Sequence, residues 1–128
     1  MNTVIEEKIE IAPELLEQVQ TQVEKQVIVH GVVAAKPPNG HSIRLWKSIV
    51  LIPHNATKRC RLIQSYNIAL YPEWQYVNSG KPHHFTMIFE GLPTDCLQFD
   101  VLEIIPEPYG FEVRNIHRNE QDVYYLSF

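Results

Sequence analysis

The sequence predicts an all-β protein, an antiparallel sandwich of seven to eight strands behind a short N-terminal helix. Three observations carry that expectation. Apolar residues alternate with polar ones in short runs, most plainly at His84-Phe85-Thr86-Met87-Ile88-Phe89. There Phe85, Met87 and Phe89 share one strand face, because successive side chains point to opposite sides. Such runs recur from Gln26 to Phe128, separated by Pro, Gly and Asn clusters at roughly the 8–12 residue spacing of a sandwich or barrel. Residues 1–25 break the pattern with a helical period. The chain therefore divides into an N-terminal acidic segment, 1–25, and a β-sandwich domain, 26–128.

In residues 13–24, Pro13 stands near the start of the helix and Glu14 and Glu17 lie in its first turn, the usual order at a helix N-terminus. Leu15, Leu16, Val19 and Val23 form one stripe at spacings of three and four. About three turns of helix are marginal in water, so this stripe is expected to dock, on the domain's own sheet in preference to a partner.

The strands follow in order. Val27, Val29 and Val33 alternate around Gly31, and Lys36-Pro37-Pro38-Asn39-Gly40 ends that strand with strong turn chemistry. Residues 43–52 read as the next strand, with Ile49-Val50-Leu51-Ile52 apolar on both faces, as in a central strand covered on each side. After the turn Pro53-His54-Asn55-Ala56-Thr57, residues 59–66 return as its hairpin partner. Cys60, Leu62 and Tyr66 are placed on one side, Arg59, Arg61 and Ser65 on the other.

Residues 67–83, with Tyr71-Pro72-Glu73-Trp74 and Asn78-Ser79-Gly80-Lys81-Pro82, are irregular and long enough to cross between sheets. Trp74 is expected to close one end of the core. Strands at 84–89 and 97–105 flank the turn Gly91-Leu92-Pro93-Thr94-Asp95. Phe85, Met87, Phe89, Leu97, Phe99 and Val101 are the predicted inward set. Residues 111–116 and 123–128, joined by His117-Arg118-Asn119-Glu120, read as a closing hairpin.

The run Phe85-Thr86-Met87-Ile88-Phe89-Glu90-Gly91-Leu92-Pro93, followed by Phe99-Asp100-Val101-Leu102-Glu103, resembles the last strands of small bacterial immunoglobulin-like β-sandwich domains. The resemblance covers the latter half of the chain. It implies an immunoglobulin-like sandwich and supplies no catalytic residues.

A chain of 128 residues is one domain, and 45% apolar with 20% charged residues is ordinary globular composition. No apolar run approaches the length of a membrane span. The acidic residues 1–10 do not read as a secretory leader, which points to a cytoplasmic protein. Cys60 and Cys96 lack metal or redox spacing, and Cys60 reads as a buried thiol. The sequon Asn55-Ala56-Thr57 reads as a turn.

Candidate chemistry is sparse. His83 and His84 are adjacent, so in a strand they face opposite ways and cannot share a metal ion without a bulge. A cupin metal motif fails because the doublet is HH and the later ligand position holds Val113. No GxSxG, P-loop or GxGxxG occurs. Asp95 belongs to a turn, and Asp100 alternates outward between Phe99 and Val101, so these acids read as a solvated face. No catalytic residue, metal ligand or cofactor is assigned.

Charge segregates along the chain. Residues 25–71 hold seven bases and no acid, residues 1–24 six acids and one base, and residues 72–128 nine acids and three bases. Arg44, Lys47, Lys58, Arg59 and Arg61 are the candidate binding residues, with Arg44, Arg59 and Arg61 expected on the outward face of the basic hairpin. The leading expectation is a non-catalytic protein-interaction module, with self-association as one form of that contact. An anion or nucleic-acid binder using that hairpin is the alternative, disfavoured by a pI near 5.8. An enzyme built on His83 or His84 and nearby acids comes third.

Overall fold

A computed structural model of the chain describes residues 26–34, 41–78 and 80–128. The predicted helix and its apolar stripe lie outside them. Nine strands occur among the described residues: β1 (Val27–Val33), β2 (His41–Ile43), β3 (Ile49–Pro53), β4 (Cys60–Tyr66), β5 (Gln75–Val77), β6 (His83–Phe89), β7 (Gln98–Glu103), β8 (Glu112–His117) and β9 (Val123–Ser127). Seven form one sheet in the order β8-β7-β3-β4-β6-β1-β9, and β2 pairs separately with β5. Among the described residues, no helix is long and apolar enough to cross a membrane.

The described residues are all-β, but the sheet is mixed rather than wholly antiparallel. β9 runs parallel to β1, pairing Ile28 with Val123 and Val32 with Ser127. In place of two facing sheets, the seven-stranded sheet curls around one core. Phe99 on β7 meets Tyr124 on β9 edge-on at 5.0 Å, and Phe111 and Phe128 approach to 5.0 Å. These rings draw the two edges, β8 and β9, across the interior, so the sheet approaches a barrel.

The predicted alternation is present in the core. Phe85, Met87, Phe89, Phe99 and Val101 are buried, while Thr86 and Ile88 on the opposite face are half-buried. Leu97 departs from the prediction and is 79% exposed. β7 begins only at Gln98, so Leu97 belongs to the preceding turn, where strand alternation does not hold; Cys96 is buried in its place.

Gly31 sits in the middle of β1, opposite Phe85. A Cβ there would stand 2.6 Å from Phe85 Cζ and 2.9 Å from Phe128 Cε2. Glycine therefore allows two rings to close over β1. Gly31→Ala should destabilise the protein by about 1–3 kcal/mol, the cost of overpacking a filled core. A urea midpoint equal to wild type would contradict this.

Two strand pairings differ from the sequence reading. The run 43–52 is divided between β2 and β3, because the backbone of Leu45 bonds elsewhere. Leu45 N–H donates to Ala69 O at 2.8 Å, and Tyr71 N–H donates to Leu45 O at 2.9 Å. The chain then turns at Lys47-Ser48, with Ile49 N–H donating to Trp46 O. The closing hairpin does not form either. Asp122 adopts φ 55°, and Asn119 Oδ1 accepts the N–H groups of Gln121 and Asp122. This loop carries the chain from β8 across to β1, where Ile28 N–H donates to Asp122 O.

A bulge between Leu62 and Gln64 shifts the register of β4 against β6. Beyond it Tyr66 pairs with Thr86 and joins the outer face, rather than the side of Cys60 and Leu62. One extra residue reverses the facing of everything after it.

Candidate functional site

A polar and aromatic cluster gathers around Arg44. Residues 44–46 run beside 69–71 through a bridge between Leu45 and Leu70. Leu45 is fully buried, so Arg44 and Trp46, one residue to either side, project the other way. The rings of Trp46 and Tyr71 stack at 3.8 Å. After the cis Tyr71–Pro72 peptide, the chain turns back and lays Trp74 over Arg44. The guanidinium lies 3.9 Å from the Trp74 centroid, 4.6 Å from Tyr71 and 5.8 Å from Trp46. Such contacts contribute about 0.5–2 kcal/mol each.

The charge of Arg44 is already matched. Its Nη2 donates to Glu107 Oε2 at 3.0 Å, and only 12% of the side chain is exposed. Arg44 Nε and Trp46 Nε1 are buried without a hydrogen-bond partner. Beneath them Glu103 accepts the backbone N–H groups of Trp46 at 2.8 Å and Phe111 at 3.0 Å. Burial raises its carboxyl pKa, and those two bonds oppose the rise. The cleft above, about 310 Å³, is bordered by Trp74, Glu107, Pro108 and Tyr109. Trp74 is 59% exposed and Tyr109 98%. Trp74 thus covers an arginine at the surface instead of closing the core.

The five candidate basic residues separate. Arg44 lies in this cluster and Lys47 on the turn beside it. Lys58, Arg59 and Arg61 stay together at the N-terminal end of β4, where Arg61 pairs with Val50 of β3. All three are exposed. Among the described residues, the ion pair at that end is Arg61 with Glu90, at 3.5 Å. The Arg61 backbone N–H, with its side chain and charge, holds the Glu90 carboxyl below its ordinary value. Sequence reasoning missed Trp74, Tyr71 and Tyr109 as surface groups. The signal was Arg44 and Trp46 two apart, with Tyr71 and Trp74 packed into the next irregular stretch.

The acids read as solvated are in part buried. Asp100 points away from Phe99 and Val101 as expected, yet His54, Asn115 and Arg114 cover it. Its Oδ1 lies 2.8 Å from both His54 Nε2 and Asn115 N, and Asn115 has φ 59° at the β7–β8 irregularity. Burial alone would raise the Asp100 carboxyl. The bonds from His54 and Asn115, with the charges of His54 and Arg114, outweigh it and hold the group below its ordinary value. Asp100→Asn should therefore lose most stability above the usual carboxylate range, and progressively less as pH falls through the depressed value. Thermal melts of both proteins across acid pH measure this; a constant difference would rule it out.

His83 and His84 have no carboxylate partner among the ion pairs of the described residues. His83 Nε2 instead lies 2.6 Å from Asn67 O. Among the described residues no three His, Cys, Asp or Glu side chains converge on a metal position. Cys60 and Cys96 are buried free thiols, and burial pushes the Cys60 thiol up to about 11. No protein-family model, curated protein or solved structure matches the chain.

Proposed function

We propose that the chain is a non-catalytic protein-interaction module whose contact face is the surface of Trp74, Tyr71 and Tyr109 around Arg44. One observation carries the reading: exposed aromatic rings stand over a largely desolvated, ion-paired arginine. Trp, Tyr and Arg in such settings dominate binding energy at protein interfaces. The pinned guanidinium presents Trp74 in one orientation, which lowers the ordering cost of association. Self-association through this face is the simplest form of the proposal. Two free thiols suit a reducing cytoplasm.

A second reading keeps the basic end, because Lys58 and Arg59 are exposed without an ion-pair partner among the described residues. Arg44 is spoken for by Glu107, which leaves Lys58, Arg59 and Arg61 to meet a polyanion or an acidic protein surface.

One experiment separates the two. Wild type, a Trp74→Ala/Tyr109→Ala variant and an Arg59→Glu/Arg61→Glu variant are compared by sedimentation equilibrium and by quantitative affinity capture from the native cell. Loss of association in the aromatic variant alone supports the first reading. Loss in the charge-reversed variant alone moves the function to the basic end. Equal behaviour of all three overturns both.

A further inference from the structure

Across the outer face of the sheet, four side chains stand in one row on consecutive strands: Tyr66 on β4, Thr86 on β6, His30 on β1 and Tyr125 on β9. The pairings Tyr66 with Thr86, Thr86 with His30 and His30 with Tyr125 place them on one face. They border a groove of about 620 Å³, within the size range of ligand sites. From these residues we propose that the groove binds a neutral saccharide, independently of the Arg44 surface.

The lining chemistry selects that class. No Asp, Glu, Lys or Arg borders the groove, in a chain whose residues are 20% charged. A phosphate, carboxylate or ammonium ligand would lose water there without meeting a permanently charged side chain. A purely hydrocarbon ligand would cover His84 and Ser127 and strand their polar groups, at about 1–3 kcal/mol each. A polyol with apolar ring faces satisfies both conditions. Its hydroxyls meet the hydroxyl, imidazole and amide groups, and its C–H faces lie on tyrosine rings.

The walls are exposed and one is held in place. Tyr66 is 49% exposed and Tyr125 80%. The His30 ring stacks on Tyr125 at 5.1 Å with 28° between planes. Its Nδ1 lies 2.8 Å from Thr86 Oγ1, which ties that stack to the floor. The tyrosines are three strand spacings apart, about 14 Å, the reach of a few linked sugar rings. An extended peptide would instead seek the backbone groups of a free sheet edge, whereas this row lies on a face.

The full chain, labelled with ¹⁵N, is titrated at millimolar concentration with cellohexaose, xylohexaose, mannohexaose, maltohexaose and chitin hexasaccharide. Heparin and a proline-rich decapeptide serve as contrasting probes. At least one neutral sugar should shift the amides of His30, Thr86 and Tyr125, with heparin leaving them unmoved. Tyr125→Ala should weaken that binding about tenfold or more, as loss of an aromatic anchor does. Tyr125→Phe, which keeps the ring, should retain it. No shift with any of the five sugars, shifts confined to the Trp74 surface, or shifts from the peptide or heparin alone would overturn the proposal. The Trp74→Ala/Tyr109→Ala variant should bind the sugar as wild type does, so failure here leaves the interaction reading standing.

Discussion

Asp122→Ala should destabilise the protein by about 3–5 kcal/mol, the cost of leaving one member of a buried ion pair alone. Asp122 is 5% exposed, and its two oxygens accept Arg118 Nε at 3.1 Å and Arg118 Nη2 at 2.9 Å. The Tyr124 hydroxyl donates to Asp122 Oδ1 at 2.9 Å and accepts the Asn119 N–H at 3.0 Å. Burial first, then the bond to Asp122, pushes the Tyr124 phenol up to about 12. Arg118 also reaches the carbonyls of Pro93 and Cys96. Without Asp122 the guanidinium is left facing those carbonyls with its charge unmatched. The melting temperature should fall by more than about 10 °C. Asp122→Asn retains the side-chain shape and a residue type tolerant of positive φ, so it isolates the charge. A loss below about 1 kcal/mol in the alanine variant would refute the network's role.

Phe99→Ala should cost a similar 3–5 kcal/mol, the range for deleting a buried aromatic. Phe99 is fully buried and its ring meets Tyr124 across the interior. The deletion leaves a cavity where β7 faces β9, and the ring contact between those strands is lost. Equilibrium urea unfolding measures the loss. Phe99→Leu, which refills much of the volume, should lose distinctly less. Equal losses in both variants would mean that ring geometry rather than filled volume holds the edges together.

The core was legible because alternation is a local property: Phe85, Met87, Phe89, Phe99 and Val101 announce their face within a few residues. Partner choice is not local. Nothing in 123–128 says whether it pairs with 111–116 or with β1; that is settled by Asp122 at positive φ and by the Asn119 bonds. Tyr66 was misplaced because a bulge leaves no mark in an alternation count. Asp100 shows the limit of facing as a guide to exposure, since it points outward yet lies under His54 and Arg114. The Arg44 cluster depends on Trp74 and Glu107 folding back from other segments, which residue spacing along the chain does not reveal.

The parallel β1–β9 ladder has a consequence for the order of assembly. It joins the first described strand to the last, so it closes the longest loop in the fold and has the highest entropic cost to form. β9 is therefore expected to dock after the β6–β1 and β3–β7 pairs. Until it does, β1 presents a bare edge of alternating valines, with Phe85 uncovered at Gly31. Such an edge is a template for pairing with another chain. The period between synthesis of β6 and docking of β9 is the interval in which this protein is most exposed to aggregation.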